Sequence, residues 1–240
     1  MSIFLFIPAR MGSSRFPGKP LFKLFGKPMI QWIYEASIKS KADKVYITTP
    51  DKEIINFCKS MNYPFIKTSV KHERCLDRIG EAYEYIEPKE ESDILVCMQG
   101  DEPLVTTNMI NKLIDFHLKG QYEFVVSALK INEEEFLNKN IVKAYVKNIS
   151  ESNYVDDFDR RFDIGKEEFL YHHVGIYGYK RKALEAFVGF DQSKAEIERK
   201  LEQMRAIENG MKIVLGLIDE LPISVDTQED LEIARISMDL

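Results

Sequence analysis

Short apolar runs alternate with amphipathic segments along the first half of the chain. The apolar runs predict buried strands at residues 3–7, 44–48, 64–67 and 93–98. Apolar residues at helical spacing between these runs predict helices at residues 28–40, 51–61 and 77–86. Because strands that alternate with helices form parallel sheets, we expect an α/β fold in which helices flank a mostly parallel sheet.

The second half of the chain has a different pattern, in which long polar insertions separate the apolar runs. Strands are predicted at residues 124–129, 141–146, 174–179 and 212–215, and a last helix at residues 230–238. We expect one domain over residues 1–240, with a core formed by about 1–122 and 211–240 and a smaller lobe, about 123–210, that binds a substrate.

One further helix is predicted from Ser193 to the neighbourhood of Gly210. Ser193 and Glu196 have the spacing of a capping box, which marks a helix N-terminus. Within this helix, Ile197, Leu201 and Met204 would form one apolar stripe. We expect this stripe to pack against the rest of the protein.

Composition restricts the class of protein. A chain of 240 residues with 45% hydrophobic content can bury one substantial core, and its net charge of -6 argues against general nucleic-acid binding. Cys58, Cys75 and Cys97 lack the spacing of a zinc site or a disulfide framework, which fits a reducing cytoplasm. No apolar stretch has the length of a signal peptide or a membrane span. We therefore expect a cytoplasmic protein that binds neither nucleic acid nor a membrane.

The segment after the first strand, residues 7–21 (IPARMGSSRFPGKPL), concentrates positive charge. Its cations are Arg10, Arg15 and Lys19, and its glycines, Gly12 and Gly18, allow the backbone to approach an anion closely. Prolines stiffen the segment, and guanidinium and ammonium groups give charge-assisted hydrogen bonds to phosphate. We predict that this segment binds a polyphosphate.

Spacing excludes two common phosphate-binding motifs. Gly12 and Gly18 enclose five residues where a P-loop has four, and Pro20 follows Lys19 where a P-loop has Ser or Thr. The dinucleotide motif Gly-x-Gly-x-x-Gly does not follow the first strand. The alternative to a polyphosphate site is a surface loop whose cations are solvated.

Two aspartates are candidate metal ligands. The motif Gln99-Gly-Asp-Glu-Pro103 directly follows a predicted strand, which places Asp101 at the sheet edge where α/β proteins bind ligands. Magnesium in proteins is bound by one or two carboxylates together with substrate phosphate oxygens. Asp226 is the candidate for the second carboxylate. A turn residue is the alternative for Asp101, and a helix cap is the alternative for Asp226.

These motifs resemble those of the nucleotidyltransferases that make CMP-activated acidic sugars, above all the 3-deoxy-manno-octulosonate (Kdo) cytidylyltransferase family. The resemblance rests on residues 7–21 with Gly26-Lys-Pro-Met-Ile30 and on Gln99-Gly-Asp-Glu-Pro103. Further matching motifs follow in the same order at residues 138–143, 173–179, 201–205 and 225–231. The matches therefore cover almost the whole chain.

The resemblance implies a Rossmann-like fold, a lobe for sugar binding and dimerisation, a homodimer, and Mg²⁺ as cofactor. In the implied reaction a sugar hydroxyl attacks the α-phosphorus of CTP and pyrophosphate leaves. The implied catalytic residues are Arg10, Lys19, Asp101 and Asp226, of which Asp101 and Asp226 hold the metal. The residues implied in nucleotide binding are Ala9, Arg10, Gly12, Ser13, Arg15, Lys19, Arg78 and Gln99. The residues implied in binding the acidic sugar are Gln99, His173, Tyr177, Glu202 and Gln203.

Two segments depart from the family pattern. Arg74-Cys-Leu-Asp-Arg78 stands where the Kdo enzymes have a Ser-Gly-Thr-Glu-Arg-like patch, so we expect an altered base pocket in which Arg78 still donates to a cytosine carbonyl. Residues 154–161 replace a segment that shapes the acidic-sugar site, and their three aspartates are expected to repel an anion from Arg160 or Arg161. Two alternatives therefore stay open: transfer to a different sugar or small acceptor, and a nucleotide-binding regulator without turnover.

Overall fold

The structure is a computed structural model of the chain, and it describes residues 1–12, 16–120, 122–147, 153–163, 165, 167–225 and 228–238. Its strands are β1 (Ile3–Pro8), β2 (Lys23–Leu24), β3 (Lys27–Pro28), β4 (Lys44–Thr49), β5 (Phe65–Lys67), β6 (Ile94–Met98), β7 (Phe124–Lys130), β8 (Lys143–Tyr145), β9 (Asp157–Asp159), β10 (Leu170–Lys180) and β11 (Ile213–Leu217).

Its α-helices are α1 (Met29–Ser37), α2 (Lys52–Met61), α3 (Cys75–Glu84), α4 (Thr107–Gly120), α5 (Glu133–Leu137), α6 (Arg181–Gly189), α7 (Lys194–Arg199), α8 (Gln203–Glu208) and α9 (Gln228–Met238). Short 3₁₀ helices occupy Lys19–Leu21 and Glu167–Phe169. None of the helices in the described part of the chain is both long enough and apolar enough to span a membrane.

The chain divides into two compact units: unit 1 comprises Met1–Asn111 and Pro222–Leu240, and unit 2 comprises Lys112–Leu221. In unit 1, β1 pairs in parallel with both β4 and β6, and β4 pairs in parallel with β5. All six residues of β1 are buried, as expected of a parallel strand with both faces covered. The register places Phe6 opposite Cys97, so β1 and β6 end side by side and the loops that follow them meet.

A second apolar cluster of unit 1 packs helix α9 against the segment that follows β1. It joins Leu231 and Ala234 of α9 to Phe16, Leu24 and Met29, and it includes Val225 just ahead of α9. The indole nitrogen of Trp32 donates to the backbone oxygen of Leu24 at its edge. This cluster fixes Phe16, which lies within the predicted polyphosphate segment, and Leu24 and Met29, which follow it.

In unit 2, β7 pairs in parallel with β11 and antiparallel with β10. Strand β10 also pairs antiparallel with β8, which pairs antiparallel with β9. Large buried side chains such as Phe124, Phe158 and Tyr179 fill this unit, and the rings of Phe124 and Tyr179 lie 4.1 Å apart. The parallel strands of unit 1 match the prediction for the first half of the chain. The mostly antiparallel pairing in unit 2 matches the prediction that the second half has a different pattern.

The prediction of one continuous helix from Ser193 to the neighbourhood of Gly210 is wrong, because two helices occupy this segment. The capping box of Ser193 and Glu196 is present, but α7 ends at Arg199 and Lys200 adopts a left-handed conformation with φ of 57° before α8 begins. The predicted apolar stripe is broken as well, because Leu201 and Met204 are buried whereas Ile197 is 56% exposed. The short strand β9 was not predicted, and β10 begins four residues before the predicted strand at residues 174–179.

Candidate active site

A cleft of about 470 Å³ opens at the carboxyl ends of β1 and β6 in unit 1. Gly100 lets the turn after β6 lie against the end of β1, because a Cβ atom there would stand 2.8 Å from the backbone oxygen of Pro8. The cleft brings together the predicted residues Ala9, Arg10, Gly12, Lys19, Arg78, Gln99 and Asp101. Ser13, Arg15 and Asp226 lie outside the described residues.

Lys19 lies at the centre of a small hydrogen-bonded group in this cleft. Its side chain is largely buried, and its Nζ donates to Asp101 Oδ2 at 3.2 Å and to the backbone oxygen of Val225 at 2.8 Å. The backbone N–H of Val225 in turn donates to the backbone oxygen of Asp101 at 2.9 Å. Gly18, with φ of 77°, supplies the left-handed turn that leads the chain into Lys19. Lys19 therefore ties the loop after β1 to the turn after β6.

Asp101 has an oxygen atom suited to a cation. Its Oδ2 faces Lys19, whereas its Oδ1 is buried and has no hydrogen-bond partner among the described residues. A buried acceptor that lacks a partner is costly, and a carboxylate oxygen is the kind of hard ligand that Mg²⁺ prefers. Asp101 thus fits the predicted role chemically. Within the described ranges, no group of three or more His, Cys, Asp and Glu side chains has the arrangement of a metal site.

The loop between β5 and α3 forms one wall of the cleft through Glu73, Arg74 and Cys75. Arg10, from the loop after β1, donates through Nη1 to the backbone oxygen of His72 at 3.3 Å. Arg78, from α3, is buried and donates to Thr68 Oγ1, to the backbone oxygen of Ser69 and to that of His72. Both terminal nitrogens of Arg78 therefore bond to this loop.

The implied sugar-binding residues of unit 2 also lie close together. The ring of His173, on β10, lies 5.2 Å from the ring of Tyr177. Gln203 Nε2 lies 3.4 Å from His173 Nε2, and since an amide nitrogen only donates, the ring nitrogen is the acceptor. Glu202 is buried and adjoins Gln203 at the start of α8. Burial, with His172 and Arg160 adding to it, lowers the pKa of His173 to about 3, so its ring is neutral at pH 7.

The aspartates of residues 154–161, which are expected to repel an anion, have partners within unit 2, and the repulsion itself stays a prediction. Arg199 Nη1 donates to Asp157 Oδ1 at 2.5 Å, and Arg199 Nε lies 3.3 Å from Asp159 Oδ2. Asp156 accepts a hydrogen bond from the backbone N–H of Lys147 at 2.7 Å. Arg160 is also engaged, since its Nη1 donates to the backbone oxygen of Arg199 at 2.8 Å.

Sequence reasoning missed several residues that shape the cleft. Glu73 and Cys75 line it, and His72 supplies the carbonyl that receives both Arg10 and Arg78. A backbone carbonyl carries no residue-type signal, so the role of His72 could not be found in the sequence. For Cys75, the departure from the family pattern at residues 74–78 was the available signal, and Glu73 directly precedes that segment.

Comparisons with known proteins agree with the fold and with the family resemblance of the sequence. Residues 4–213 match the family model described as "Cytidylyltransferase". The chain is 41% identical to a 3-deoxy-manno-octulosonate cytidylyltransferase of Thermodesulfovibrio yellowstonii over 95% of each chain. It is 36% identical to the enzyme of the same name from Brucella ovis, over 98% of this chain and 95% of that one.

The structure is also similar to that of a CMP:2-keto-3-deoxy-manno-octonic acid synthetase complexed with CTP. The TM-score is 0.88 and the identity 29%, over 100% of this chain and 99% of the other. These similarities confirm the predicted α/β fold, the enzyme class and the family resemblance. The chain therefore belongs to the 3-deoxy-manno-octulosonate cytidylyltransferase family of nucleotidyltransferases.

Proposed function

We propose that this chain couples CTP to 3-deoxy-manno-octulosonate and releases pyrophosphate. The observation that carries the proposal is the cleft in which Arg10, Lys19 and Asp101 lie together at the ends of β1 and β6. Phosphoryl and nucleotidyl transfers depend mainly on alignment and on neutralising the charge of the phosphates. The cations and carboxylate of this cleft supply both.

Several residues of the cleft and of the segment after β1 have an assigned role in this proposal. Arg10 binds the triphosphate, and Lys19 neutralises the charge that grows on the leaving pyrophosphate. Gln99 lines the same cleft as Asp101. We assign it to binding both the base of CTP and the acceptor. Ser13 and Arg15 are assigned to the triphosphate from the family motif. No covalent intermediate with the protein is needed, because the acceptor hydroxyl attacks the phosphorus directly.

Asp101 and Asp226 are proposed as the magnesium ligands. The Oδ1 of Asp101, which has no hydrogen-bond partner among the described residues, supports the first assignment. The backbone hydrogen bond from Val225 to Asp101 supports the second, since Val225 is the sequence neighbour of Asp226. Magnesium bound there would act as a Lewis acid for the α-phosphate and lower the pKa of the acceptor hydroxyl. Lys19, paired with Asp101 Oδ2, orients that carboxylate.

The acceptor is assigned to the group formed by His173, Tyr177, Glu202 and Gln203. A neutral His173 and an amide are suited to hydroxyl groups of a sugar, since each can exchange hydrogen bonds without desolvating a charge. We also propose that the protein works as a cytoplasmic homodimer, with residues 1–122 and 211–240 as core and residues 123–210 as the lobe for the sugar and the second protomer. This division into a core and a lobe stays a prediction.

The proposal is tested by measuring pyrophosphate release from each of four nucleoside triphosphates with a panel of sugar acids. We expect release from CTP with 3-deoxy-manno-octulosonate when magnesium is present, and none when a chelator removes it. Release with another sugar acid alone would leave the enzyme class in place and overturn the acceptor. Binding of CTP with no release on the whole panel would instead indicate a regulator without turnover.

A further inference from the structure

The wall of the nucleotide cleft formed by residues 68–74 is held in place by the helix that follows it. Helix α3 begins at Cys75, and its side chains at positions 78 and 81 lie three residues apart and therefore on one face. Both side chains reach back to the preceding loop. We call this arrangement of Arg78, Glu81 and residues 68–72 the wall latch.

Arg78 forms one half of the wall latch. It is 1% exposed, and its Nη1 donates to Thr68 Oγ1 and to the backbone oxygen of Ser69, the latter at 3.1 Å. Its Nη2 donates to the backbone oxygen of His72 at 2.8 Å. Burial, and after it the nearby charge of Arg10, lowers the pKa of Arg78, but a guanidinium keeps its proton in proteins. Arg78 is thus a fixed cation whose planar fork spans two points of the loop.

Glu81 forms the other half. Its Oε2 accepts a hydrogen bond from the backbone N–H of Ser69 at 2.7 Å and faces the ring Nε2 of His72. Ser69 and His72 are therefore each held twice, once by the cation of α3 and once by its carboxylate. Because these bonds engage backbone groups, they fix the path of the loop as well as its side chains.

The wall latch is connected to Arg10, in the predicted triphosphate site, by the backbone oxygen of His72. The backbone oxygen of His72, which Arg78 holds, also accepts from Arg10 Nη1 at 3.3 Å. Arg10 is the cation that the proposed function assigns to the triphosphate. If the carbonyl of His72 moves, Arg10 loses the acceptor that orients its guanidinium.

We propose that Arg78 and Glu81 are positioning residues, which orient Arg10 for the triphosphate through the loop at residues 68–72. This inference rests on the proposed function and differs from the expectation that Arg78 reads the cytosine ring. The two roles have separable consequences. A positioning role changes the affinity for any polyphosphate, whether or not it carries a base, whereas a base contact changes only the affinity for nucleotides.

The test compares CTP with inorganic tripolyphosphate, which carries no base. In Arg78→Lys the fork is lost and the charge kept, so we expect the dissociation constants of CTP and of tripolyphosphate to rise by the same factor, roughly tenfold for lost bonds to a charged group. The ratio of CTP to UTP turnover should stay within about twofold of the wild type, since no base contact changes. Arg181→Lys, in an exposed pair with Glu185 on α6, is the matched control.

A second variant and a second readout protect the test against misfolding. Glu81→Ala leaves the buried cation in place and should shift both affinities in the same direction by a smaller factor. Lys71 is exposed in the middle of the held loop, so trypsin should cleave after it faster in either variant than in the wild type or the control.

Three outcomes would overturn the inference. CTP binding that weakens while tripolyphosphate binding does not would make Arg78 a base reader. Unchanged affinities in both variants would remove any positioning role, and a wild-type chain that fails to bind tripolyphosphate would remove the site itself. Tripolyphosphate binding and trypsin cleavage need no acceptor. They can therefore confirm the wall latch even if the wild-type chain turns over no sugar acid, in which case the proposed function alone fails.

Discussion

The charged side chains of the nucleotide cleft and those around His173 are used in different ways. In the cleft, Lys19 is held by one carboxylate and one carbonyl, and Asp101 still has a buried oxygen without a partner among the described residues. Around His173, the arginines are engaged by carboxylates: Arg199 by Asp157 and Asp159, and Arg205 by Glu196. The histidine itself is kept neutral.

This difference indicates two uses of charge in one chain. A polar group that the fold leaves incompletely satisfied is costly unless a ligand completes it, and this supports the proposal that the cleft of unit 1 binds a charged ligand. Ion pairs that are complete within the protein hold backbone segments in place and have less to offer a ligand. The neutral ring of His173 and the amide of Gln203 are therefore suited to the hydroxyl groups of a ligand. Variants in each region should separate activity from stability.

Arg205→Ala should produce the largest loss of stability. Arg205 is 2% exposed and makes two hydrogen bonds to Glu196, and its guanidinium lies 4.6 Å from the ring centre of Phe187. The substitution leaves a buried carboxylate unpaired, which typically costs about 3 to 5 kcal/mol. The free energy of unfolding, measured in urea, should fall by this amount.

Two further variants serve as a control and as a rescue for the loss of stability in Arg205→Ala. Arg181→Ala, which breaks an exposed pair on α6, should cost at most about 1 kcal/mol. The double variant Glu196→Gln with Arg205→Met should recover much of the stability, because the amide still caps α7 and no unpaired charge remains. An Arg205→Ala protein as stable as Arg181→Ala would contradict the structural role of this pair.

Lys19→Ala should produce the largest loss of activity. It removes the cation between Asp101 and Val225, and loss of one preorganised donor typically lowers turnover by roughly 100- to 1,000-fold. The measurement is kcat/KM from pyrophosphate release. Lys23→Ala, four residues along on an exposed site, makes the same change in charge and should keep its activity. Equal activity in the two variants would refute the assignment of Lys19.

The parallel strands and the cleft could be predicted from sequence because their signals are local. Strand β1 is a continuous apolar run, and so is β6, which ends three residues before Asp101. The loops that carry the predicted cleft residues therefore begin where these two strands end. A residue that follows a strand of a parallel sheet lies at the edge where such sheets bind ligands, so its place can be inferred from the sequence. The roles assigned to individual cleft residues stay predictions, with Ser13, Arg15 and Asp226 outside the described residues.

The break between α7 and α8 could not be predicted because its cause is a contact between distant positions. Glu196 and Arg205 are nine residues apart, which in one straight helix would separate them by about 13.5 Å along the axis. They form two hydrogen bonds instead, which requires the chain to turn back at Lys200. No glycine or proline marks this turn. Strand β9 was missed for a related reason, since its aspartates depend on Arg199.

The last prediction concerns the pH dependence of stability in unit 2. His117, on α4, is 1% exposed, and neither ring nitrogen has a hydrogen-bond partner among the described residues. Burial, with Lys180 adding to it, lowers the pKa of His117 to about 4. In the unfolded chain a histidine has a pKa near 6.5, so below that pH the unfolded state binds a proton that the folded state does not.

Stability should therefore be unaffected by His117 above about pH 6.5 and fall as the pH drops towards 4, with a contribution of about 2 kcal/mol at pH 5. His117→Phe removes this titration, so its free energy of unfolding should fall less steeply between pH 6.5 and 4 than that of the wild type. The comparison uses the slope with pH, because the larger ring near Gly178 adds a packing cost that does not depend on pH. Parallel slopes for the two proteins would show that the folded chain protonates His117 as readily as the unfolded one. In that case His117 would not be held neutral in the folded protein, unlike His173 in the same unit.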